Sequence, residues 1–533
     1  MSRDVRDPET DPTATWAIEP EVIEPLLARA AVAPGAARLT IRTPLTDAPL
    51  ADVPQGTAAD VADAVERARR AQRVWERYPA GDRAAVLLRF HDLLLERRGE
   101  ILDLLQLENG KDRASAFEEV ADVALLARHY GVRGPAYLAT TRYPGVVPGL
   151  TGVRVERRPR GVVGVIGPFN YPFTLTIGDA LPALVAGNAV VIKPDSRTPL
   201  AALWAAGVFA DAGLPDDVLQ VVPGPGSEVG TALVAAVDHV SFTGSTATGR
   251  RIAQQAAGRL VGVSLELGGK NALYVADDAD PALAAEGAVR ACFANTGQLC
   301  ASIERLYLHE AVAEAFLAEF LPRVAALRLG TGLDYSYQVG ALTGPSQRAT
   351  FTEHLTDALA RGATVLAGGR VRDDVGPFHV EPTVITDLPD DALAARHETF
   401  GPLVAVRVVR TDEEAARQID DTPYGLNLSL WTRDVARARR IAARVSVGMV
   451  NINEGFVAVW GSSAAPSGGV KDSGTGRRHG RAGVEAVTWG QTVAVQRGVH
   501  AGLGLGRLYG LPAEEWTDLF TRAMRGMRAL RRP

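Results

Sequence analysis

The chain has 533 residues, a length that predicts three to four structural units at roughly 150 residues each. Hydrophobic residues make up 47% and charged residues 22%, which is typical of globular proteins and excludes fibrous and disordered classes. The formal net charge of −5 leaves no broad basic surface for nucleic acid, and two cysteines are too few for a secreted disulfide scaffold.

The N-terminal residues carry charges where a signal peptide has an apolar core, so we expect a cytoplasmic protein. The longest uncharged run, residues 161–178, contains several glycines, two prolines and Asn170, and is therefore not interpreted as a membrane span. The histidines show no ligand spacing such as His-x-x-x-His, so no metal site is predicted.

The first part of the chain is predicted to be helical. Residues 1–40 are rich in Pro and Ala and are interpreted as an N-terminal extension. Thr57 can cap an amphipathic helix that continues to Val74. A second helix is predicted to end near Gly110, and a third to span about 115–130.

From residue 161 onward, short apolar runs alternate with helical segments, which predicts parallel sheets in an α/β fold. The first series of predicted strands covers residues 162–166, 189–192, 219–222, 240–242 and 273–275. The second series covers residues 305–308, 364–367, 404–409 and 450–452. Two α/β halves are therefore expected.

Two segments with alternating polar and apolar residues, 153–158 and 492–496, have the period of half-exposed strands. We expect them to pair as a small sheet, an arrangement that is more typical of an oligomer contact than of a catalytic element.

The C-terminal tail is predicted to be an amphipathic helix. One face carries the apolar residues Trp516, Leu519, Phe520, Met524, Met527 and Leu530. The remainder is basic and carries Arg522, Arg525, Arg528, Arg531 and Arg532. Docking of the tail on the protein's own oligomer is expected, and peripheral contact with a membrane is the alternative.

The two cysteines differ in their surroundings. Cys292 lies between Ala291 and Phe293 and is interpreted as a buried apolar residue. Cys300 follows the polar stretch Asn295-Thr-Gly-Gln298, which is typical of a flexible loop that exposes a thiol. Cys300 is therefore a candidate nucleophile, and a small core residue is the alternative.

Two further side chains suit acid–base and oxyanion chemistry. Glu266 ends an apolar run between two leucines, so partial burial would raise its pKa toward the range of a general base. Asn170 stands between two prolines after a predicted strand, and a fixed amide can serve as an oxyanion donor. A strand-end carboxylate and a turn asparagine are the ordinary alternatives.

The sequence also suggests a nucleotide site. Only four of the 57 basic residues are lysines, and Lys193 lies at the end of a predicted strand, where α/β sheets bind ligands. Gly244 and Ser245 lie between a predicted strand and a helix, the arrangement of a phosphate-binding loop. The segment 224–230 nearly matches the dinucleotide fingerprint, but its third glycine is one residue late.

Seven motifs together resemble the NAD(P)-dependent aldehyde dehydrogenase superfamily, in its order and spacing, over residues 45–495. They are Gly167-Pro-Phe-Asn-Tyr-Pro172, Gly187-Asn-Ala-Val-Val-Ile-Lys193-Pro194, Phe242-Thr-Gly-Ser-Thr246, Leu265-Glu-Leu-Gly-Gly-Lys270, Gly297-Gln-Leu-Cys300, Glu398-Thr-Phe-Gly-Pro402 and Gly468-Gly-Val-Lys-Asp-Ser-Gly474. The resemblance implies a Rossmann-like cofactor domain (41–145 and 161–267), an oligomerisation arm (146–160 and 486–498), an α/β catalytic domain (268–485) and a tail (499–533).

The resemblance assigns a role to each candidate. Cys300 would attack the aldehyde as thiolate, and Asn170 with the Cys300 backbone N–H would hold the oxyanion. After hydride transfer to nicotinamide, Glu266 would activate the water that hydrolyses the thioester. The implied cofactor contacts are Phe169, Lys193, Ser196, Gly226, Gly244, Ser245, Glu398 and Phe400.

The segment after Lys193 predicts whether the protein prefers NADP or NAD. Members of the superfamily that prefer NAD often carry Glu where this chain has Ser196, so the repulsion of a 2′-phosphate is absent. Arg197 adds attraction, whereas Asp195 acts in the opposite direction. NADP is therefore preferred over NAD.

The substrate and reaction retain alternatives. Several motifs are similar to actinobacterial enzymes named succinic semialdehyde dehydrogenase, but the positions of the usual carboxylate-binding arginines hold Gly178 and Ala294. The apolar segment 455–460 instead suits a medium-chain or aromatic aldehyde. A CoA-acylating relative and a catalytically silent binding relative are the remaining alternatives, and Glu266 argues against the first. A homodimer or homotetramer is expected.

Overall fold

In the computed structural model, the chain folds into alternating helices and sheets. The structure describes residues 18, 20–147, 150–497, 499–501, 505–506 and 510–529. Two compact units are present. The first comprises the chain up to Tyr137 together with Pro159–Val487, and the second comprises Leu138–Arg158 together with the chain from Thr488.

The first unit begins with helices and one hairpin. The helices are α1 (Pro20–Leu27), α2 (Ala58–Trp75), α3 (Ala80–Glu96), α4 (Arg98–Asn109) and α5 (Arg113–Tyr137). The antiparallel hairpin consists of β1 (Arg38–Arg42) and β2 (Pro49–Pro54). Thr57 and Asp60 form a capping box at the start of α2, which confirms the predicted cap.

Two expectations for this region need correction. The second predicted helix is interrupted at Arg97, and only its second part, α4, ends at Gly110, which takes the left-handed conformation with φ 84°. Residues 20–40 are not a separate extension: α1 packs on a later helix, and the backbone N–H of Ala31 donates to the Val221 carbonyl.

The first sheet has six strands, in the order β19-β9-β8-β5-β6-β7. Its parallel strands are β5 (Val162–Ile166), β6 (Ala189–Lys193), β7 (Leu219–Val221), β8 (His239–Thr243) and β9 (Gly262–Glu266). The short β19 (Gly474–Thr475) pairs antiparallel with β9 and places Gly474 opposite Glu266. Four of the five predicted strands of the first series therefore lie together, in the parallel arrangement expected.

The second sheet has seven strands, in the order β12-β13-β14-β11-β10-β16-β17. Its strands are β10 (Asn271–Val275), β11 (Ile303–His309), β12 (Thr364–Ala367), β13 (Thr383–Thr386), β14 (Leu403–Val409), β16 (Asn427–Trp431) and β17 (Met449–Ile452). Only β12 runs antiparallel to its neighbour. The predicted strand 273–275 thus belongs to this sheet, and β13 and β16 were not predicted.

Helices cover the faces of both sheets and bury apolar side chains against the strands. Those around the first sheet are α6 (Thr174–Ala186), α7 (Leu200–Asp211), α8 (Thr231–Ala236) and α9 (Thr246–Ala257). Those that follow are α10 (Pro281–Phe293), α11 (Ala313–Ala325), α12 (Pro345–Ala360), α13 (Leu393–Arg396), α14 (Asp412–Asp420), α15 (Val435–Ala442), α16 (Val457–Trp460) and α17 (Gly480–Ala486). A two-stranded ladder joins β15 (Tyr424–Gly425) to β18 (Val470–Lys471).

The second unit contains a three-stranded sheet and a helix. The sheet has the order β20-β4-β3 and consists of β3 (Thr141–Pro144), β4 (Thr151–Pro159) and β20 (Thr488–Gln496). The predicted pairing of the two alternating segments is therefore confirmed. Helix α18 (Ala513–Ala529) is the predicted amphipathic tail, while Leu530, Arg531 and Arg532 lie outside the described residues. Among the described helices, none combines the length and apolar character needed to cross a bilayer.

Candidate active site

A large cavity opens at the carboxyl edge of the six-stranded sheet. It has a volume of about 770 Å³ and is lined where β5, β6, β8 and β9 end, by residues that include Ile166, Lys193, Phe242 and Leu267. This edge is where parallel α/β sheets bind ligands. Of the residues singled out in the sequence, Phe169, Asn170, Lys193, Gly226, Gly244, Ser245, Glu398, Phe400 and Cys300 line this one cavity.

Cys300 is partly exposed, and it packs beside the buried Tyr171, Leu299 and Phe456. The preceding stretch is not the flexible loop that was expected. Asn295, a buried residue, takes the left-handed conformation with φ 51°, and its side-chain amide donates to two backbone carbonyls. The thiol is thus held by a rigid, internally hydrogen-bonded turn.

The electrostatic environment of the Cys300 thiol disfavours the thiolate. Burial, together with the carboxyl groups of Glu398 and Glu266, raises the pKa of Cys300 to about 12, although Arg478 acts in the opposite direction. A thiol with this pKa is protonated at neutral pH, so attack on an aldehyde requires a base to accept its proton. The lowered pKa expected of a reactive cysteine is therefore absent here.

Glu266 is the sequence-based candidate for this base. It ends β9 and is 8% exposed, and burial raises its pKa to about 7, against the lowering effect of Arg478. A β-carbon placed on Gly468, whose φ is 149°, would lie 2.7 Å from Glu266 Oε1. A glycine at that position therefore leaves room for the carboxylate, and the raised pKa agrees with the sequence-based expectation.

Asn170 is buried at the turn between β5 and α6, and hydrogen bonds fix both its side chain and its backbone carbonyl. Its side-chain Nδ2 donates to the Gln298 carbonyl at 2.9 Å. Its own carbonyl accepts from Lys111 Nζ at 2.8 Å and from Asn295 Nδ2 at 3.1 Å. The amide is therefore tied directly to the turn that carries Cys300, which suits a fixed oxyanion donor.

Lys111 is a structural residue of the site that the sequence-based candidate set lacked. Its ammonium group is fully buried, pairs with Glu119 Oε1 at 2.5 Å and lies 4.1 Å from the centre of the Tyr171 ring. Glu119 in turn accepts from the backbone N–H groups of Phe173 and Thr174 at the start of α6. The rarity of lysine in this chain was the one signal that pointed to it.

The cavity residues fit a dinucleotide. Gly226 and Gly230 line the cavity, and a β-carbon on either would meet no protein atom within 4 Å, so the backbone faces open space there. Ser245 caps α9, whose N-terminus suits a phosphate group. Lys193 is buried and donates to the Pro194 carbonyl at 2.6 Å, and a lysine ammonium carries further donors for a ligand.

Glu398 and Phe400 occupy the same cavity. The Glu398 Oε1 accepts from the Gly269 backbone N–H at 2.9 Å, and burial raises the pKa of Glu398 to about 8. Glu304, paired with Lys270, holds the adjacent backbone by accepting from the N–H of Phe400 at 2.9 Å. The Phe400 and Phe169 rings meet edge to face, with centroids 5.7 Å apart.

The selectivity segment after Lys193 has a more detailed arrangement than the sequence suggested. Ser196 Oγ donates to the Gly224 carbonyl at 3.0 Å. The Arg197 guanidinium pairs with Asp195 at 3.1 Å and lies 4.2 Å from the centre of the Phe169 ring. Asp195 therefore partly neutralises the charge that Arg197 presents to the cavity.

The wall beside Cys300 is apolar. The Tyr171 and Trp460 rings are 5.6 Å apart, and Phe456 is buried next to them. Gly178 lies within α6, where a β-carbon would be 3.1 Å from Leu126, and Ala294 packs against the same apolar cluster. These two positions, where carboxylate-binding arginines were expected for a succinic semialdehyde dehydrogenase, thus contribute no charge.

Comparison with known proteins places the chain in a family. The model of the aldehyde dehydrogenase family matches residues 32–493. A Mycolicibacterium smegmatis protein, provisionally named succinate-semialdehyde dehydrogenase (NADP+), is 47% identical over 481 residues, which cover 90% of this chain and 92% of that protein.

Two solved structures are similar to this chain in both fold and sequence. The succinate-semialdehyde dehydrogenase from Burkholderia pseudomallei has a TM-score of 0.84 and 35% identity, with 87% of this chain and 96% of that chain covered. PnpE from Pseudomonas sp. WBC-3, in complex with nicotinamide adenine dinucleotide, has a TM-score of 0.83 and 36% identity, with 86% and 94% covered. From its motifs, its fold and these similarities, the chain belongs to the aldehyde dehydrogenase family.

Proposed function

We propose that this protein oxidises an aldehyde to a carboxylic acid through a covalent intermediate on Cys300. The observation that carries the proposal is that one cavity brings together a partly exposed thiol and the Asn170 amide, beside the buried Glu266 carboxyl group. A bound nicotinamide cofactor would accept the hydride. The residues of the chain supply the nucleophile, the oxyanion donors and the base.

The two acid–base steps follow from the pKa values. As Cys300 Sγ bonds to the aldehyde carbon, its proton passes to Glu266, and the oxygen of the thiohemiacetal accepts from Asn170 and the Cys300 backbone N–H. After oxidation to the thioester, Glu266 first releases the thiol proton to solvent. It then takes a proton from the water that attacks the acyl carbon, and the C–S bond breaks, which releases the acid and the Cys300 thiolate. A carboxyl group with a pKa of about 7 is partly ionised near neutral pH, so it can act as a base there.

We propose succinic semialdehyde as the substrate. The support is the name of the 47% identical relative and that of the Burkholderia pseudomallei enzyme. A medium-chain or aromatic aldehyde is the alternative, because Tyr171, Phe456 and Trp460 form an apolar wall beside Cys300. The test is to measure kcat/KM for succinic semialdehyde, a medium-chain aldehyde and an aromatic aldehyde, with the absorbance of the reduced cofactor as the signal. A higher value for the apolar aldehydes would overturn the substrate assignment.

We propose NADP as the preferred cofactor, with NAD as the alternative. The relative's name specifies NADP+, while PnpE was solved with nicotinamide adenine dinucleotide. The cavity lining contains three cationic side chains, Lys193, Arg197 and Arg251, against two acidic ones, Asp195 and Glu398. Since a 2′-phosphate adds negative charge, this lining favours NADP. Equal kcat/KM values with the two cofactors would contradict the preference.

We propose that the protein works as a cytoplasmic homo-oligomer. Two free cysteines agree with a reducing compartment. In the three-stranded sheet Tyr143 and Val495 are exposed, and in helix α18 Leu519 and Met524 are exposed, so both elements offer apolar surface for subunit contacts. Light scattering of the full chain and of a variant lacking residues 512–533 tests this proposal. Binding of α18 to vesicles, shown by sedimentation, would support the membrane alternative.

A further inference from the structure

Arg478 is an almost buried arginine to which none of the steps above assigns a role. Its side chain is 13% exposed and donates to Asp179 Oδ2 at 2.7 Å and to Thr243 Oγ1. Its Nε is buried without a hydrogen-bond partner in the described structure. A buried guanidinium is costly unless neighbouring negative charge compensates it, so its position calls for a reason beyond packing.

The backbone places this guanidinium beside Glu266. Thr243 and Glu266 are register partners on the parallel strands β8 and β9, so their side chains leave the same face of the sheet. Thr243 accepts a hydrogen bond from Arg478 on that face. The backbone N–H of Arg478 also donates to the Ser467 carbonyl at 2.8 Å. Ser467 precedes Gly468, which lies against the Glu266 carboxyl group.

Acidic groups outnumber basic ones around this position. On α6, Asp179 pairs with Arg478 and also accepts from Ser241 Oγ. On α5, burial raises the pKa of Asp122 to about 7, and Arg478 lowers it. Asp179 also raises the pKa of Glu266, whereas the neighbouring Arg477 lowers it.

The thiol has a similar set of neighbours. Glu398 and Glu266 raise the pKa of Cys300, and Arg478 lowers it. Tyr171 packs near the thiol from the turn before α6, and burial together with nearby acidic groups raises its pKa. Arg478 is thus the basic side chain that acts on both the candidate base and the candidate nucleophile.

We propose that Arg478 is a positioning residue for the reaction: held by Asp179, its guanidinium keeps Glu266 available as a base at neutral pH and lowers the cost of forming the Cys300 thiolate. The proposal rests on the roles proposed above for Cys300 and Glu266. When the thiol proton passes to Glu266, negative charge moves from the carboxylate to the sulfur atom. Arg478 stabilises the negative charge on either the carboxylate or the sulfur atom, so the charge stays near the same guanidinium throughout the proton transfer.

The test compares three variants of the full-length protein. Arg478→Gln removes the charge and keeps a donor toward Asp179. Arg478→Lys keeps the charge and is the matched control. Asp179→Asn keeps an oxygen that can accept from the guanidinium but removes the negative charge that raises the pKa of Glu266. Circular dichroism and thermal melting establish that each variant is folded.

Two readouts follow the two groups separately. The first is the rate at which iodoacetamide alkylates Cys300 as a function of pH, with Cys300→Ala giving the background from Cys292. The second is the pH below which the deacylation rate falls, here called the acid limb. It reports the pKa of Glu266. A shift of one pKa unit corresponds to about a tenfold change in rate at a fixed pH.

The expected shifts have opposite signs. In Arg478→Gln, alkylation of Cys300 slows by about tenfold or more, and the acid limb of deacylation moves to higher pH by about one unit. In Asp179→Asn, the acid limb moves to lower pH, because a negative neighbour of Glu266 is lost. Arg478→Lys retains the wild-type limb. A residue that only supported packing would not produce shifts in both directions.

Two results would overturn the proposal. One is a folded Arg478→Gln variant in which both pH profiles match the wild type. The other is an acid limb that moves in the same direction in Arg478→Gln and Asp179→Asn. Failure of the proposed function looks different: no aldehyde would be turned over, while the alkylation rate of Cys300 would still depend on Arg478.

Discussion

Replacement of Glu266 by Gln is the most informative perturbation of the chemistry. The carboxyl group is 8% exposed at the end of β9, and burial raises its pKa to about 7. Glutamine has nearly the same shape but cannot accept a proton. General-base assistance contributes about 10²- to 10⁴-fold to a rate, so deacylation should slow by that factor in Glu266→Gln.

The pH dependence gives the same prediction a second, independent form. Because the folded-state pKa of Glu266 is about 7, the base is ionised above that pH and becomes protonated below it. The wild-type deacylation rate should therefore fall about tenfold for each pH unit below 7, and the fall should be missing in Glu266→Gln.

Rapid-mixing kinetics with an aldehyde and NADP separate the steps of the reaction. The wild type should form reduced cofactor rapidly, whereas Glu266→Gln should form it slowly, because both removal of the thiol proton and deacylation lose their base. Steady-state turnover that is unchanged in the variant, with deacylation shown to be rate-limiting, would refute the assignment of Glu266 as the base.

Three further predictions concern other parts of the candidate site. Cys300→Ala should abolish dehydrogenase turnover while NADP binding, measured by calorimetry, is retained, because only the covalent step is lost. Ser196→Glu should shift the ratio of kcat/KM values toward NAD, since a carboxylate there would repel a 2′-phosphate; an unchanged ratio would contradict this account of selectivity. Gly468→Ala should lower kcat by about tenfold or more, because the added methyl group would lie 2.7 Å from Glu266 Oε1 on a backbone with φ 149°, whereas a kcat equal to the wild type would show that the carboxylate can move aside.

Much of the fold could be predicted because buried parallel strands are short, continuous apolar runs. The strands β5 and β12 coincide with their predicted ranges. Strand β16 was missed because its buried positions include Asn427 and Ser429, whose side chains satisfy backbone carbonyls of neighbouring loops. Polar residues with such long-range partners cannot be recognised as core residues from the sequence alone.

The candidate site, like the fold, could be predicted from the sequence only in part. Motif spacing identified Cys300, Asn170 and Glu398, and the structure places all three in one cavity. The polar stretch before Cys300 was interpreted as flexible because Asn, Thr and Gly favour loops, yet Asn295 is buried and bonded to the backbone of Asn170. Arg478 had no local signal, since its significance depends on Asp179, which lies about three hundred residues earlier in the chain.

The central claim is that the reaction passes through an acyl group bound to Cys300. Its most direct test is mass spectrometry of the wild type, quenched with acid during the first turnover of succinic semialdehyde with NADP, because a thioester survives in acid. The account predicts a succinyl group, at most one per chain, on the peptide that contains Cys300. Reduced cofactor formed without an adduct, or an adduct on another residue, would contradict it.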